Sequence, residues 1–291
     1  NLAVWYAHQA VQPGLPGLRR IRSKQTRRAI RRSFDKAYSR DHLGTLKNLT
    51  ETVNGRLRFV SNPPLVVPSR ELDLPAAAAD ELQTWMTQLL SEYAESLSRD
   101  RRHLVRQYTF VDIARKVVGV GSVGTRAWIV LLRGADDLDP LILQAKEATN
   151  SVLEAYTAPS EFSSHGERVV EGQRLMQAYG DVLLGWRRSP RRRQAPHYYI
   201  RQLRDWKGSL VLDGLDPQGL SAYAGYCAWT LARAHARSGD RLAIGGYLGS
   251  KDGFDQAIAD FSAAYADRNE ADFGLLESAA AEGRIEVAQG I

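Results

Sequence analysis

The residues best suited to chemistry lie in one stretch of this 291-residue chain, residues 117–146. It contains a glycine-rich segment, Gly-Val-Gly-Ser-Val-Gly at residues 119–124, between two apolar runs, and a third apolar run that ends in Lys146. Because glycine has no side chain, such a segment can turn sharply and bring its N–H groups close to phosphate oxygens. A lysine on a neighbouring strand would add positive charge. The pattern predicts a phosphate-binding site composed of Gly119, Gly121, Ser122, Gly124 and Lys146.

The elements around the glycine segment indicate which kind of nucleotide site it could form. A dinucleotide-binding domain has a helix after the third glycine, but residues 127–132, Ala-Trp-Ile-Val-Leu-Leu, have the composition of a strand. A P-loop has Gly-Lys followed by Ser or Thr, and no such tripeptide follows here. The protein-kinase arrangement places a glycine loop between two strands, a lysine on the next strand and a glutamate in the following helix. This chain has those elements in that order, so the sequence favours the kinase-like arrangement.

The helix that follows Lys146 is predicted over residues 166–179. Glu171 lies in its middle and is the predicted partner that holds Lys146 in place. A second interpretation stays open, in which the glycines only shape a tight hairpin and Lys146 extends along the edge of a sheet. The apolar side of the helix is predicted to consist of Val169, Val170, Leu175 and Met176. The alternative partners of Lys146 are Glu147, Glu154 and Glu167.

The remaining patterns predict an α+β protein with an antiparallel sheet. Asn54-Gly55 predicts a hairpin over residues 50–60, and apolar residues three or four apart predict a helix over residues 75–97. Helical spacing returns from residue 221 onwards. We divide the chain into a helical region with a hairpin, a β-rich lobe that holds the glycine loop, and a helical lobe, at residues 1–100, 101–208 and 209–291. Strand signals in the β-rich lobe lie at residues 116–118, 127–132, 141–146, 182–186 and 197–203.

The composition favours a globular protein in the cytoplasm. An apolar content of 44% is enough for a sizeable core, and the apolar run at residues 127–132 is far shorter than the roughly 20 residues that a membrane span needs. A single cysteine, Cys227, excludes an internal disulfide and a multi-cysteine metal site, and the six histidines show no metal-ligand spacing. We therefore expect neither a membrane span nor a structural metal.

Positive charge is concentrated in two places and supports a second functional hypothesis. The net charge is +6, residues 19–40 hold ten Lys or Arg residues against one acid, and residues 187–193 hold five arginines. Such clusters attract nucleic acid or other polyanions, so a non-enzymatic binding module is the alternative function. Helical spacing of the apolar residues in the first cluster instead favours the solvated face of an amphipathic helix. The second cluster is predicted to be a loop between strands, because Ser189 and Pro190 interrupt it.

Phosphoryl transfer also requires a catalytic-loop aspartate and a second aspartate that binds magnesium. The candidates for a catalytic role are His235 and Asp240, but no asparagine follows Asp240 at the position of a metal ligand. Asp272-Phe273-Gly274 lies within an alanine-rich helical pattern, so we do not assign it to a metal site. The catalytic residues therefore stay unassigned at this point.

Five segments of the chain, which include the glycine loop, the surroundings of Lys146 and the helix around Glu171, resemble the bacterial family called domain of unknown function 2252. The resemblance covers nearly the whole chain. Members of that family carry further N-terminal segments of Gly-Asp-Ala-His and Phe-Asp type that this sequence lacks, so we expect an N-terminally truncated member. The segments that carry the resemblance are residues 114–126, 144–148, 168–177, 201–208 and 232–240.

The missing segments of that family are similar to the catalytic loop and magnesium aspartate of aminoglycoside-phosphotransferase-like kinases. The resemblance therefore implies a two-lobed, kinase-like fold in permuted order, with the catalytic part before the glycine loop. It also implies that the segment with Arg201 and Asp205 connects the lobes and contributes to cofactor binding. For the complete protein we expect ATP and Mg²⁺ as cofactors and an unknown phosphate acceptor, whereas this chain lacks the catalytic loop.

Overall fold

A computed structural model gives the fold of the chain. It describes residues 48–72, 78–117, 124–136, 138–177, 180–187, 196–203 and 215–287, together with Arg28, Gly119 and Leu212. The amphipathic helix predicted over residues 19–40 lies outside the described residues except for Arg28, which is helical. Within the described ranges, none of the helices combines the length and the apolar character that crossing a bilayer requires.

The described residues form eight strands and six α-helices. The strands are β1 (Thr50–Val53), β2 (Arg56–Phe59), β3 (Val66–Pro68), β4 (Thr109–Lys116), β5 (Ala127–Arg133), β6 (Pro140–Ala148), β7 (Gly185–Arg187) and β8 (His197–Gln202). The helices are α1 (Ala78–Glu95), α2 (Arg99–Val105), α3 (His165–Met176), α4 (Pro217–Ser238), α5 (Arg241–Leu248) and α6 (Gly253–Ala281). Short 3-10 turns follow β3 at Ser69–Glu71 and β6 at Val152–Ala155.

The strands form two antiparallel sheets. Strands β1 and β2 make the predicted hairpin, whose turn residues Asn54 and Gly55 have φ angles of 50° and 73°. Positive φ at both central positions is typical of a type I′ turn, which matches the twist of the flanking strands. The larger sheet has six strands in the order β3-β4-β5-β6-β8-β7. The predicted α+β class with an antiparallel sheet is confirmed, and so is the order of three strands, a helix and two strands from β4 to β8.

The six-stranded sheet is covered on both faces. Leu141, Leu143 and Ala145 of β6 belong to a core cluster with Tyr93 of α1 and Leu104 of α2. The other face carries a second cluster, in which side chains of the central strands pack with the β1–β2 hairpin. Burial on both faces explains why β5 and β6 have nearly continuous apolar sequences rather than alternating ones. The second cluster consists of Phe59, Val66, Ala114, Ile129, Leu131, Ile142 and Leu203.

Two predicted strands have different bounds in the structure. The predicted start of the strand at residues 116–118 is wrong, since β4 begins at Thr109 and ends at Lys116. Charged residues such as Asp112 conceal β4 in the sequence, but the Asp112 carboxylate accepts a hydrogen bond from the Phe59 N–H at 2.9 Å. The strand predicted at residues 182–186 is only Gly185–Arg187, because the Asp181 carboxylate accepts from the Leu183 N–H at 2.8 Å and forms a turn there.

Helix α3 lies against strands β6, β7 and β8. Ser164 caps its N-terminus by accepting from the Glu167 N–H, and the chain becomes extended at Gln177, so the helix ends three residues before the predicted bound. Val170 is fully buried, as predicted. Leu175 and Met176 are 49% and 45% exposed, so their assignment to the packed side was wrong. They lie on the last turn of the helix.

The C-terminal part of the described chain is helical, as predicted, and consists of α4, α5 and α6. The chain separates into two compact units, Asn1–Ala234 and His235–Ile291. The large apolar side chains of α6 that have helical spacing, among them Phe261 and Tyr265, are exposed in the structure. The three-part division at residues 1–100, 101–208 and 209–291 stays a prediction from sequence, as does the two-lobed, permuted architecture.

Candidate functional site

The glycine loop connects β4 to β5, as the sequence predicted. Gly119 and Gly124 have φ angles of 119° and 81°, which side-chain-bearing residues rarely adopt. A Cβ atom added at either glycine would meet no atom within 4 Å, so the space beside both residues is open. Gly121 and Ser122 lie outside the described residues. After the loop, the Arg126 N–H donates to the Glu147 carboxylate at 2.9 Å, which ties the end of the loop to β6.

Lys146 lies on β6, directly opposite Ala127 of β5 and Tyr199 of β8. It therefore shares a sheet face with the residue at which the chain leaves the glycine loop. Strand β6 is central, with β5 on one side and β8 on the other. The alternative interpretation that Lys146 lies at a sheet edge is therefore wrong. Partial burial lowers the pKa of Lys146, and the neighbouring positive charge of Arg201 lowers it further.

Arg201 is the charged neighbour of Lys146 on the same face. It lies opposite Gln144 in the β6–β8 register, so it is diagonal to Lys146, and such diagonal pairs are within reach of long side chains. Its Nη2 atom donates to Gln144 Oε1 at 3.4 Å. Its Nε atom is buried and has no hydrogen-bond partner among the described residues.

No carboxylate lies within ion-pair distance of Lys146 or Arg201 in the part of the chain that the structure describes. Burial of a charge is costly unless an opposite charge or hydrogen bonds compensate for it. Two neighbouring cations without a carboxylate partner among the described residues create a local positive potential that favours an anion. The face beside the glycine loop is therefore chemically suited to a ligand with negatively charged oxygen atoms.

Glu171 has a different partner from the one that the sequence predicted for it. Its carboxylate pairs with Arg174 on the same helix at 2.7 Å. The Arg174 guanidinium also lies over the Trp186 ring, 5.5 Å from the centroid, and donates to the Leu184 carbonyl at 2.7 Å. Glu171 is thus held beside β7 in this structure. Its role as the partner of Lys146 stays a prediction.

The alternative glutamates have other contacts. Glu147 accepts from the Arg126 backbone, as described above, and Glu154 lies 4.0 Å from Arg168. Glu167 lies in the first turn of α3, where its negative charge interacts favourably with the positive end of the helix dipole. The described residues thus show no glutamate bound to Lys146.

Two histidines that sequence reasoning missed fix the start of α3. The His165 N–H donates to His197 Nδ1 at 2.9 Å, and the two rings are 4.9 Å apart between centroids. Burial lowers the pKa of His197, and proximity to His165 lowers it further. No signal in the sequence could have found this pair, because its members are far apart along the chain and have no characteristic spacing.

The two candidate catalytic residues either cap a helix or lie exposed on one. Asp240 caps α5, since its Oδ1 accepts from the N–H groups of Leu242 and Ala243 at 2.9 and 3.1 Å. His235 is exposed on α4. Asp272 pairs with Arg268 within α6, so the helical pattern predicted around Asp272-Phe273-Gly274 is confirmed. Asp205 lies outside the described residues. Within the described ranges, no three His, Cys, Asp or Glu residues come together as metal ligands.

The fold and the site define an α+β protein that has an antiparallel sheet, a glycine loop between two of its strands, and a partly buried pair of cations, Lys146 and Arg201, on the strands that follow. A family model described as "Uncharacterized protein conserved in bacteria (DUF2252)" matches residues 1–279. The chain therefore belongs to this family, as the sequence resemblance predicted. Neither a curated protein nor a solved structure matches the chain.

Proposed function

We propose that this chain binds the phosphates of ATP, together with Mg²⁺, and that it is the nucleotide-binding part of a kinase-like phosphotransferase. The glycine loop contributes backbone N–H groups, through Gly119, Gly121, Ser122 and Gly124, and Lys146 neutralises the phosphate charge. One observation carries the proposal: Lys146 and Arg201 lie together beside the loop, partly removed from water, and the described residues provide no carboxylate for either of them.

The chemistry of these groups fits a phosphate chain. Lysine and arginine side chains and backbone N–H groups are all hydrogen-bond donors, whereas phosphate oxygens are acceptors that carry negative charge. Anion-binding concavities in proteins are commonly made from successive backbone N–H groups in turns with glycine. Charge-assisted hydrogen bonds to phosphate would compensate both cations at once, and the described residues provide no carboxylate within ion-pair distance that does so.

The order of elements supports the kinase-like part of the proposal. A glycine loop between β4 and β5, a lysine on β6 and a helix after it occur in the same order in protein kinases. In this proposal Glu171 positions Lys146, and the segment with Arg201 and Asp205 connects two lobes. We assign no catalytic carboxylate among the described residues.

Calorimetric titration of the complete protein with ATP and Mg²⁺ tests the proposal. We expect Lys146→Ala to weaken ATP binding by roughly ten- to a hundredfold, since a hydrogen bond between charged groups contributes about 1.5–3 kcal/mol. Lys251→Ala is the matched control, because it removes one positive charge from an exposed position in the C-terminal unit. Equally tight binding by the Lys146→Ala protein would show that the site is assigned wrongly.

The alternative function, binding of nucleic acid or another polyanion, has less support. Arg187 begins the second arginine cluster, but it is buried and pairs with Glu92 of α1 at 2.9 Å. Its charge is therefore compensated within the protein. The rest of that cluster, residues 188–193, and the first cluster except for Arg28 lie outside the described residues.

A further inference from the structure

Lys146 has surroundings that favour the neutral form of its amine. It lies on the central strand β6, half-buried, with Arg201 as the diagonal neighbour on the same face. Burial and a nearby positive charge both disfavour an ammonium group, and both lower the pKa of Lys146. The neutral amine is the nucleophilic form of lysine, so a lysine in such a place is suited to covalent chemistry.

None of the titratable groups around Lys146 forms an ion pair with it in the part of the chain that the structure describes. Strand β5 places an uncharged alanine opposite it, and β8 places Tyr199 opposite and Arg201 diagonal to it. Burial raises the pKa of Tyr199, so its phenol is uncharged at neutral pH. Helix α3 also lies against β6, but the Glu171 carboxylate pairs with Arg174 at 2.7 Å. The other titratable residues of α3 are His165, Glu167 and Arg168.

The charge of Arg201 also favours one class of electrophile. An acyl phosphate is an anion, and its leaving group gains negative charge as the bond to the acyl carbon breaks. A positive charge beside the amine attracts such a reagent and stabilises the charge that develops on the leaving group. Because Lys146 is only partly buried, a small reagent can reach its amine. The site therefore suits acyl transfer from a small acyl phosphate.

We propose that Lys146 is a site of covalent N-acylation, at which its amine takes the acyl group of a small acyl phosphate. The Nζ lone pair attacks the carbonyl carbon, the bond from that carbon to the phosphate oxygen breaks, and phosphate leaves with the electron pair. The amine loses one proton to water, and the product is a neutral amide. The reaction needs no bound nucleotide, so it goes beyond the proposed function. It would also remove the charge that the proposed function requires of Lys146.

The test is incubation of the complete protein with acetyl phosphate, without nucleotide, followed by peptide mass spectrometry that measures the acetylation rate at each lysine. Near pH 8 we expect Lys146 to be acetylated faster than the exposed Lys251, since each unit by which a lysine pKa falls raises its neutral fraction about tenfold. As the pH rises, the rate at Lys146 should level off below pH 10.5, the ordinary pKa of lysine.

Three variants test the part that Arg201 plays. Arg201→Gln removes the neighbouring charge, so the rate at Lys146 should fall near pH 8 and should level off at a higher pH. Arg201→Lys keeps a positive charge and should behave more like the wild type. Arg115→Gln is the control, because Arg115 is exposed and lies on the opposite face of the sheet.

The outcomes separate acylation from the proposed function. Acetylation of Lys146 that is no faster than that of Lys251, or that levels off only at pH 10.5 or above, overturns the inference. Selective acetylation of Lys146 in a protein that binds no ATP supports acylation and contradicts the nucleotide site, whereas ATP binding without selective acetylation does the reverse. Should Arg201→Gln fail to fold, the wild-type pH profile and the ratio of rates at Lys146 and Lys251 decide the question.

Discussion

At the scale of single residues, His197 links the start of helix α3 to strand β8. Its Nδ1 accepts a hydrogen bond from the His165 backbone N–H, and an imidazole nitrogen can do so only when it carries no proton. Protonation would remove the acceptor and would place a positive charge beside the N-terminus of a helix, where the helix dipole disfavours it. The start of α3 is therefore sensitive to pH.

We expect the free energy of unfolding to fall as the pH falls below 6.5, the ordinary pKa of histidine. Burial and His165 lower the pKa of His197 in the folded state, so the unfolded chain binds the proton more readily. The contribution is fully present above pH 6.5 and is lost progressively below it. Denaturant unfolding between about pH 7 and about pH 5 measures the effect.

Two variants test the assignment to His197. His197→Asn retains an acceptor oxygen near Nδ1 but does not titrate, so its stability should depend less on pH than that of the wild type. His235→Asn, which replaces an exposed histidine of α4 away from this contact, is the matched control. An equal pH dependence for the wild type and His197→Asn would contradict the role assigned to this histidine.

At the scale of elements, the position of α3 depends on close contact with β8. A Cβ atom at Gly166 would lie 2.3 Å from the Tyr198 carbonyl oxygen, closer than two such atoms can approach. Gly172, on the same helix, has open space around it. The helix therefore contains one glycine that its packing requires and one that its packing does not require.

We expect Gly166→Ala to destabilise the protein by about 1–3 kcal/mol, because α3 or β8 must move to admit the methyl group. Gly172→Ala should instead stabilise it by roughly 0.5–1 kcal/mol, since alanine has less backbone freedom to lose in a helix. Chemical denaturation of both variants measures the two changes. Stabilisation of the same size in both variants would mean that helix propensity, rather than contact with β8, determines the result.

The sequence predicted elements well where their patterns were local. Continuous apolar runs identified β5 and β6 to within two residues, and the Asn-Gly dipeptide identified the hairpin. Strand β4 was largely missed, because Asp112 and Arg115 interrupt its apolar character and the Asp112 carboxylate contacts the distant Phe59 N–H. That contact exists only in the folded chain, so no local pattern reveals it.

The candidate site was predictable in part for the same reason. The glycine loop and Lys146 are close in sequence, and their arrangement follows from one hairpin and the next strand. The proximity of Arg201 to Lys146 depends on the register between β6 and β8, which the sequence does not specify. The partner of Glu171 depends on the rotation of α3 about its axis, and here that partner is Arg174.

At the scale of the whole molecule, the net charge of +6 attracts polyanions of every kind. Such attraction depends on salt, because binding to a nucleic acid releases its condensed counterions. A nucleotide held by a few partly buried donors depends less on salt, since a partly desolvated site is screened less than an exposed one. Ionic strength therefore separates the two functional hypotheses.

We expect ATP binding by the complete protein to persist from about 50 mM to about 200 mM salt, whereas binding to duplex DNA through six to ten phosphate contacts would weaken about 10³- to 10⁵-fold over that range. Replacement of Arg188, Arg191, Arg192 and Arg193 by Gln should leave ATP binding unchanged and lower any DNA affinity. Lys146→Ala should do the reverse. Fluorescence anisotropy with labelled duplex DNA, alongside calorimetry with ATP, measures both ligands on the same proteins. DNA binding that weakens steeply with salt, depends on the four arginines and occurs without ATP binding would favour the polyanion-binding module over the nucleotide site.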